Sequence, residues 1–170
     1  MKTLTLAATA AFFALTTLAS AHEYKIGDLV VDHPMAFNTA PTAKSGGGYL
    51  TVTNTGDTDD TLIGVRADFP RVMLHTTTEK DGIARMSHVD AIVVPAGETV
   101  ALEPGGFHVM FMGLDGNGFE VGAKIPATLI FETAGELDVS FSIEERGTAK
   151  DDHSDHSGHS DHSEHSEHKK

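Results

Sequence analysis

Histidine and methionine alternate with apolar residues in the segment FHVMFM, residues 107–112. Successive side chains of a β-strand point to opposite faces, so His108, Met110 and Met112 would share one face and the phenylalanines and valine the other. The apolar face is typical of a protein core. The second face offers an imidazole and two thioethers, which is typical either of a sulfur-filled core or of a site for a soft metal ion.

Two other segments place the same side-chain types at strand parity. Met73 and His75 alternate in VMLH, and Met86 and His88 alternate in ARMSHV. If the three strands are neighbours, two imidazoles and two thioethers come within reach of one ion. Soft, neutral thioethers beside imidazoles favour Cu(I) over Zn(II), Mg(II) and Ca(II). A lone methionine or histidine on a strand is more often packing, so alternation alone leaves core and metal site both open.

The charge and cysteine content exclude several classes of function. The chain has 25 acidic and 12 basic residues and a formal net charge of −13. So acidic a protein is a poor candidate for binding nucleic acid or an anionic membrane, although it is compatible with binding cations. The sequence contains no cysteine, which excludes disulfides, thiolate zinc sites and blue-copper centres.

The first residues have the pattern of a secretory signal peptide. Lys2 precedes the apolar stretch LTLAATAAFFALTTLA, and ASA follows at residues 19–21. We predict that residues 1–21 are the signal peptide, with cleavage after Ala21 and His22 as the mature N-terminus. No later segment is long and apolar enough to cross a bilayer, so we expect an exported protein with no membrane insertion after cleavage.

From about residue 24 to 146, short strand-like segments alternate with turn residues, and no long helical period occurs. KIGDLVVDHPMAF predicts a strand that ends at its proline, and RVMLHTTTEKDGIARMSHV predicts a hairpin that turns at KDG. This pattern predicts an all-β Greek-key sandwich or small barrel. The predicted core is Leu50, Val52, Leu62, Val65, Leu74, Val93, Leu102, Phe107, Val109, Leu129, Phe131, Val139 and Phe141.

The composition changes at Gly147, after which no large apolar residue occurs. We therefore expect residues 148–170 to be a disordered tail, because they cannot bury enough apolar surface to offset the entropy of folding. Histidine recurs in this tail with a period of three, and such tracts are typical of metal binding, here of Cu(II) and less selectively of Zn(II) or Ni(II). The six residues are His153, His156, His159, His162, His165 and His168.

The spacing of the folded segments resembles that of the PCuAC copper-chaperone family. Ten residues separate His75 from Met86, twenty-one separate Met86 from His108, and one separates His108 from Met110. The similarity extends from GGGYLTVTN through PAGETVALEPGGFHVMFMGL to VSFSI. It implies a cupredoxin-like β-barrel over residues 22–147, with one Cu(I) bound by those four residues. It also implies periplasmic delivery of copper to the dinuclear copper centre of cytochrome c oxidase.

Four further residues are open to more than one role. His33 and Met35 lie in a segment where the family usually has an aromatic after the proline; they are a possible secondary site, and we favour packing. His88 either widens the main site or faces water, and we favour water. Met112 is expected to be packing or a spare sulfur.

The sequence as a whole predicts a periplasmic copper carrier that is not an enzyme. Its expected partners are copper ions, Cu(I) in the core and Cu(II) in the tail, and a copper-receiving protein. That receiver would be the copper subunit of cytochrome c oxidase or a thiol-containing assembly factor. A storage or tolerance protein that sequesters copper without delivery is the main alternative. A copper enzyme that uses His22 is a weaker one, because no catalytic motif accompanies it.

Overall fold

The computed structural model describes residues 23–147, which form eleven β-strands and no helix, as the all-β prediction requires. Within this range no helix is capable of spanning a bilayer. The predicted signal peptide, His22 and the histidine-rich tail lie outside the described residues. The strands are β1 (Glu23–Ile26), β2 (Leu29–Phe37), β3 (Ser45–Asn54), β4 (Asp60–Ala67), β5 (Arg71–Lys80), β6 (Ile83–His88), β7 (Ile92–Val94), β8 (Thr99–Leu102), β9 (Phe107–Met112), β10 (Lys124–Phe131) and β11 (Gly135–Glu144).

All eleven strands belong to one sheet. Its order is β6-β5-β9-β8-β3-β2-β11-β10-β4-β7, with β1 paired to β2. Strand β3 pairs with β9 through its first half and with β8 through its second half. Strands β11 and β2 run parallel, whereas most other pairs are antiparallel. The sheet therefore brings the β5–β6 pair together with β9 and β3, which are distant from it in sequence, into one continuous ladder.

The predicted hairpin at KDG is confirmed as β5 and β6. Lys80 pairs with Ile83, and the two residues between them, Asp81 and Gly82, both have positive φ, of 55° and 74°. Two consecutive positive φ values are what a two-residue type I′ turn requires, and Asp-Gly is a favoured pair for it. The turn fixes the register that places Met86 and His88 relative to β5.

The prediction of a strand that ends at its proline is wrong. The segment forms two strands with a turn at Gly27, and β2 continues through Pro34 to Phe37. The pairing of β2 with β3 shifts register between Asp32 and Met35, and His33 adopts φ 50° there. A proline has no N–H to give to a ladder, and this bulge accommodates it inside the strand.

Most of the predicted core is confirmed. Val93 is the exception, 55% exposed, because the flanking Ile92 and Val94 turn inward from the short strand β7. Phe107 is only partly buried. The other eleven predicted residues are buried: Leu50, Val52, Leu62, Val65, Leu74, Leu102, Val109, Leu129, Phe131, Val139 and Phe141.

One carboxylate ties two distant parts of the fold together. Asp60, at the start of β4, is buried and accepts hydrogen bonds from the backbone amides of Thr61, Thr133 and Ala134 at 2.7, 2.9 and 2.8 Å. Burial alone raises the pKa of this carboxyl. The hydrogen bonds, that of Thr133 foremost, outweigh burial and hold the pKa below its ordinary value of 3.8. Ionised Asp60 thus anchors the β10–β11 turn to β4.

Asp60→Ala should lower the free energy of unfolding by about 3 kcal/mol, because it leaves buried amide donors without an acceptor. The pKa of Asp60 is lower in the folded state than in the unfolded state. Its contribution to the free energy of unfolding is therefore fully present above about pH 4, and it is lost as pH falls through the folded-state pKa. Urea unfolding at about pH 7 and about pH 3 measures it. Asp57→Ala, at an exposed carboxyl, is the control. Equal losses in the two variants would contradict the assignment.

Candidate metal centre

Three histidines form a row across strands β6, β5 and β9. His75 on β5 lies directly opposite His88 on β6 and His108 on β9. Its ring centroid is 5.9 Å from each of the other two rings. The condition for a shared site, that the three histidine- and methionine-bearing segments are neighbours, is therefore met.

The two methionines predicted as ligands lie on the same face of the sheet. Met110 is opposite Met73 of β5 and Gly47 of β3, and Met86 is opposite Thr77 of β5. Residues directly opposite each other on paired strands share a face, so these methionines share the face of the histidine row. Met86, His108 and Met110 line one cavity of about 470 Å³. His75 does not line this cavity, but its ring lies against that of His108.

His75 and His108 each have one buried ring nitrogen without a hydrogen-bond partner. His108 is 4% exposed, and its Nδ1 lies 3.1 Å from the carbonyl oxygen of Gly106, which can only accept, so Nδ1 donates, and the tautomer with its lone pair on Nε2 is the one that this contact favours. Within residues 23–147, His108 Nε2 and His75 Nδ1 are the two buried side-chain polar atoms left unpaired. Such atoms are costly unless they serve a purpose, and binding a metal ion is one.

The surroundings of His75 favour its neutral form. Burial lowers the pKa of His75 below its ordinary value of 6.5, and the neighbouring His108 and His88 lower it further. A metal binds the lone pair of a neutral imidazole, so this environment keeps the nitrogen available as pH falls.

His88 is the outer member of the histidine row, and it offers no free nitrogen. Its Nδ1 lies 3.0 Å from the carbonyl oxygen of Leu74, and its Nε2 lies 3.1 Å from Asp90 Oδ1. The side chain is exposed, as expected, and its contacts fasten β6 to β5 beside the site.

Met35, Met112 and His33 lie away from the histidine row. Met35 is 8% exposed and packs as predicted, while His33 is exposed and contacts Glu144 at 3.2 Å. Met112 is half-buried opposite Arg71 and Ser45, beyond Met110 along β9. No group of three or more His, Asp or Glu side chains is arranged for a metal within the described range. A metal site here therefore depends on the methionines.

An aromatic and cationic wall completes the cavity, and the sequence analysis missed it. The ring of Tyr49 lies 6.4 Å from His108 and 5.5 Å from Phe37, and the guanidinium of Arg146 lies 5.2 Å over Phe37. A Cβ on Gly47 would come within 2.6 Å of the Tyr49 hydroxyl oxygen, so glycine is needed for this packing. Burial raises the pKa of Tyr49, against the effect of Arg146. The glycine run before Tyr49 is a sequence signal for close packing at this position, whereas no sequence pattern indicates that Arg146 lines the cavity.

Comparison with known proteins assigns the chain to a family. The family model LpqE-like, described as "Putative lipoprotein LpqE-like", matches residues 29–143. The chain belongs to the LpqE-like family. Lipoproteins are exported proteins, which agrees with the predicted export. These 170 residues contain no cysteine, however, the residue that carries the lipid in bacterial lipoproteins.

One curated relative is "Putative lipoprotein Lxx21020" from Leifsonia xyli subsp. xyli (strain CTCB07). It is 32% identical over 104 residues, which cover 60% of this chain and 62% of the relative. The chain thus spans less than two thirds of that protein's length.

Solved structures of PCuAC domains resemble the whole described fold. The copper-bound PCuAC domain from PmoF2 is 32% identical, with a TM-score of 0.62, over 74% of this chain and 99% of that domain. The Cu(I) form of DR1885 from Deinococcus radiodurans is 26% identical, with a TM-score of 0.55, over 77% and 86%. The cupredoxin-like fold is therefore confirmed. The names of these neighbours describe copper-binding domains, which agrees with the prediction that the chain is not an enzyme.

Proposed function

We propose that this member of the LpqE-like family is an exported copper carrier whose core binds one Cu(I) through His75, Met86, His108 and Met110. The observation that carries the proposal is the pair of buried, unpaired imidazole nitrogens on adjacent strands, with two thioethers on the same face. Copper is the cargo of this site. The likeness to copper-bound PCuAC domains supports the choice of metal.

The donor set favours Cu(I) over harder ions. Two neutral imidazoles and two thioethers bring no negative charge, and the packed rings of Phe37 and Tyr49 line one side of the cavity with apolar surface. Cu(I) is soft and accepts neutral sulfur ligands, whereas Cu(II) and Zn(II) gain more from charged or nitrogen and oxygen ligands.

The burial of the ligands is graded in a way that suits a carrier. His108 is 4% exposed, whereas Met86 is 55% exposed and lies on β6, whose one strand partner within residues 23–147 is β5. A thiolate of a receiving protein reaches the ion from the Met86 side, and it displaces a weak thioether first. The imidazoles of His75 and His108, each with a buried nitrogen, hold the ion until the new bond forms.

Delivery is the proposed use of the bound ion. The resemblance to the PCuAC family supports a periplasmic location after signal cleavage. It also supports a receiver that is the copper subunit of cytochrome c oxidase, for assembly of its dinuclear centre, or a thiol-containing assembly factor. The six tail histidines, His153 to His168, would bind Cu(II) as a separate store.

Removal of one core ligand should weaken Cu(I) binding strongly. We expect Met86→Ala and His108→Ala each to lower the affinity at least about tenfold, since even residues that only orient a ligand cost about 10- to 100-fold. Met112→Leu is the matched control and should change little. Anaerobic titration against a coloured Cu(I) chelator measures affinity, and circular dichroism checks the fold. X-ray absorption with only nitrogen and oxygen neighbours, in a protein truncated after Gly147, would refute the ligand set.

Transfer to a receiver separates delivery from storage. Cu(I)-loaded protein mixed anaerobically with an apo oxidase copper domain, or with a thiol-containing assembly factor, should lose its copper, because thiolates bind Cu(I) better than thioethers do. Copper in the separated proteins is the measurement. Retention of copper against both receivers would favour storage, as would a deletion strain that loses copper tolerance but assembles its oxidase normally.

Truncation after Gly147 tests the tail as the Cu(II) site. The truncated protein should lose most Cu(II) binding at neutral pH and keep one equivalent of Cu(I). In the full chain, Cu(II) binding should fall as pH drops through about 6 to 5, where free imidazoles protonate. Isothermal titration of both forms with both ions is the measurement. Full Cu(II) capacity in the truncated protein would show that the tail is not the site.

A further inference from the structure

The C-terminal tail leaves the fold at the rim of the metal cavity. Strand β11 ends at Glu144, which is paired with Phe37 of β2, and the Arg146 amide donates to the Asn38 side-chain oxygen at 3.0 Å. The Arg146 side chain lies over Phe37 and lines the cavity shared by the methionine ligands and His108. The backbone is therefore held in place up to the residue before Gly147.

The first tail histidine is close enough to reach the copper ligands. From Arg146, the path to His108 runs over Phe37 and Tyr49 in steps of 5.2, 5.5 and 6.4 Å. His153 follows Gly147 by six residues, and a chain of six residues spans about 13 Å on average as a random coil and about 20 Å at most when extended. The distance that these six residues can span therefore matches the length of the path from Arg146 to His108.

The charges around Arg146 also favour placing the start of the tail at the cavity. The Arg146 guanidinium has no carboxylate within 4.0 Å among the described residues, although the protein has a net charge of −13. Asp151 and Asp152 immediately precede His153. Docking of these carboxylates at Arg146 would give the guanidinium a partner and direct His153 into the cavity.

We propose that residues 148–156 dock in the cavity beside the copper ligands and pass copper between the tail and the core within one molecule. This handover of copper rests on the proposed function. One electron from an external one-electron reductant converts tail-bound Cu(II) to Cu(I). The Cu(I) then moves from His153 to the core ligands. Local concentration falls roughly as the −3/2 power of tether length, so His153, six residues from Gly147, exceeds His168, twenty-one residues away, by about sixfold.

Docking is tested in the full chain, with Ag(I), a soft diamagnetic ion, in the core and one equivalent of Cu(II) in the tail. Paramagnetic Cu(II) broadens the NMR signals of nearby nuclei. Gly47 and Asn54 lie on the same strand, seven residues and about 23 Å apart, and only Gly47 lines the cavity. We expect strong broadening at Gly47 and little at Asn54. Equal broadening at both positions would overturn docking.

Paired arginine variants test the role of charge. Arg146→Gln should reduce the broadening at Gly47 by about twofold to fivefold, the range for an exposed ion pair. Arg66→Gln is the matched control, because Arg66 is bound to Glu136 and does not line the cavity. The same result in both variants would refute the Arg146 contact.

Handover is tested by reduction with ascorbate, following the core ligands by NMR in chains that keep only His153 or only His168. The rate should be independent of protein concentration and about sixfold faster with His153. A rate that rises with concentration would overturn intramolecular transfer. If Ag(I) and Cu(I) fail to shift the methyl signals of Met86 and Met110, the core site itself fails, whereas docking is judged separately by the broadening at Gly47.

Discussion

The register between β5 and β9 is the constraint on which the candidate site depends. Leu74 pairs with Val109, and both are buried on the core side of the sheet. A slip of one residue would turn these side chains outward and their histidine neighbours inward. The apolar core therefore holds His75 opposite His108, and it does so before any metal binds. Hydrophobic burial supplies the free energy that keeps two imidazole nitrogens unpaired.

The same sheet gives the proposed ligands different exposure. Strand β9 is flanked by β5 and β3, which bury His108, while β6 is paired on one side only among the described strands and leaves Met86 in solvent. The more buried proposed ligand thus lies on a strand with neighbours on both sides, and the more exposed one lies on β6, which begins the described strand order. An arrangement with all four ligands buried would bind Cu(I) at least as tightly and release it poorly.

Alternation in the sequence was sufficient to predict strands and faces, because side-chain period reports burial directly. It correctly placed His108 with Met110 on one face of β9, and Met86 with His88 on one face of β6. Pairing was not predictable from period alone, since which strands become neighbours depends on the whole sheet. The errors at Val93 and at the proline of β2 have local causes, a three-residue strand and a bulge. The wall of the cavity was missed because β2, β3 and the end of β11 supply it.

The strands that supply the cavity wall also determine where the tail begins. The parallel pairing of β11 with β2 brings the end of the last strand to Phe37, and Phe37 packs on Tyr49 beside His108. The starting point of the tail is therefore a property of the sheet and not of the tail's own composition. An antiparallel pairing would have reversed β11 and put its end at the other side of the molecule. Because the order of strands places the end of β11 at the cavity, any segment that follows Gly147 starts beside the proposed copper ligands, which raises its local concentration there.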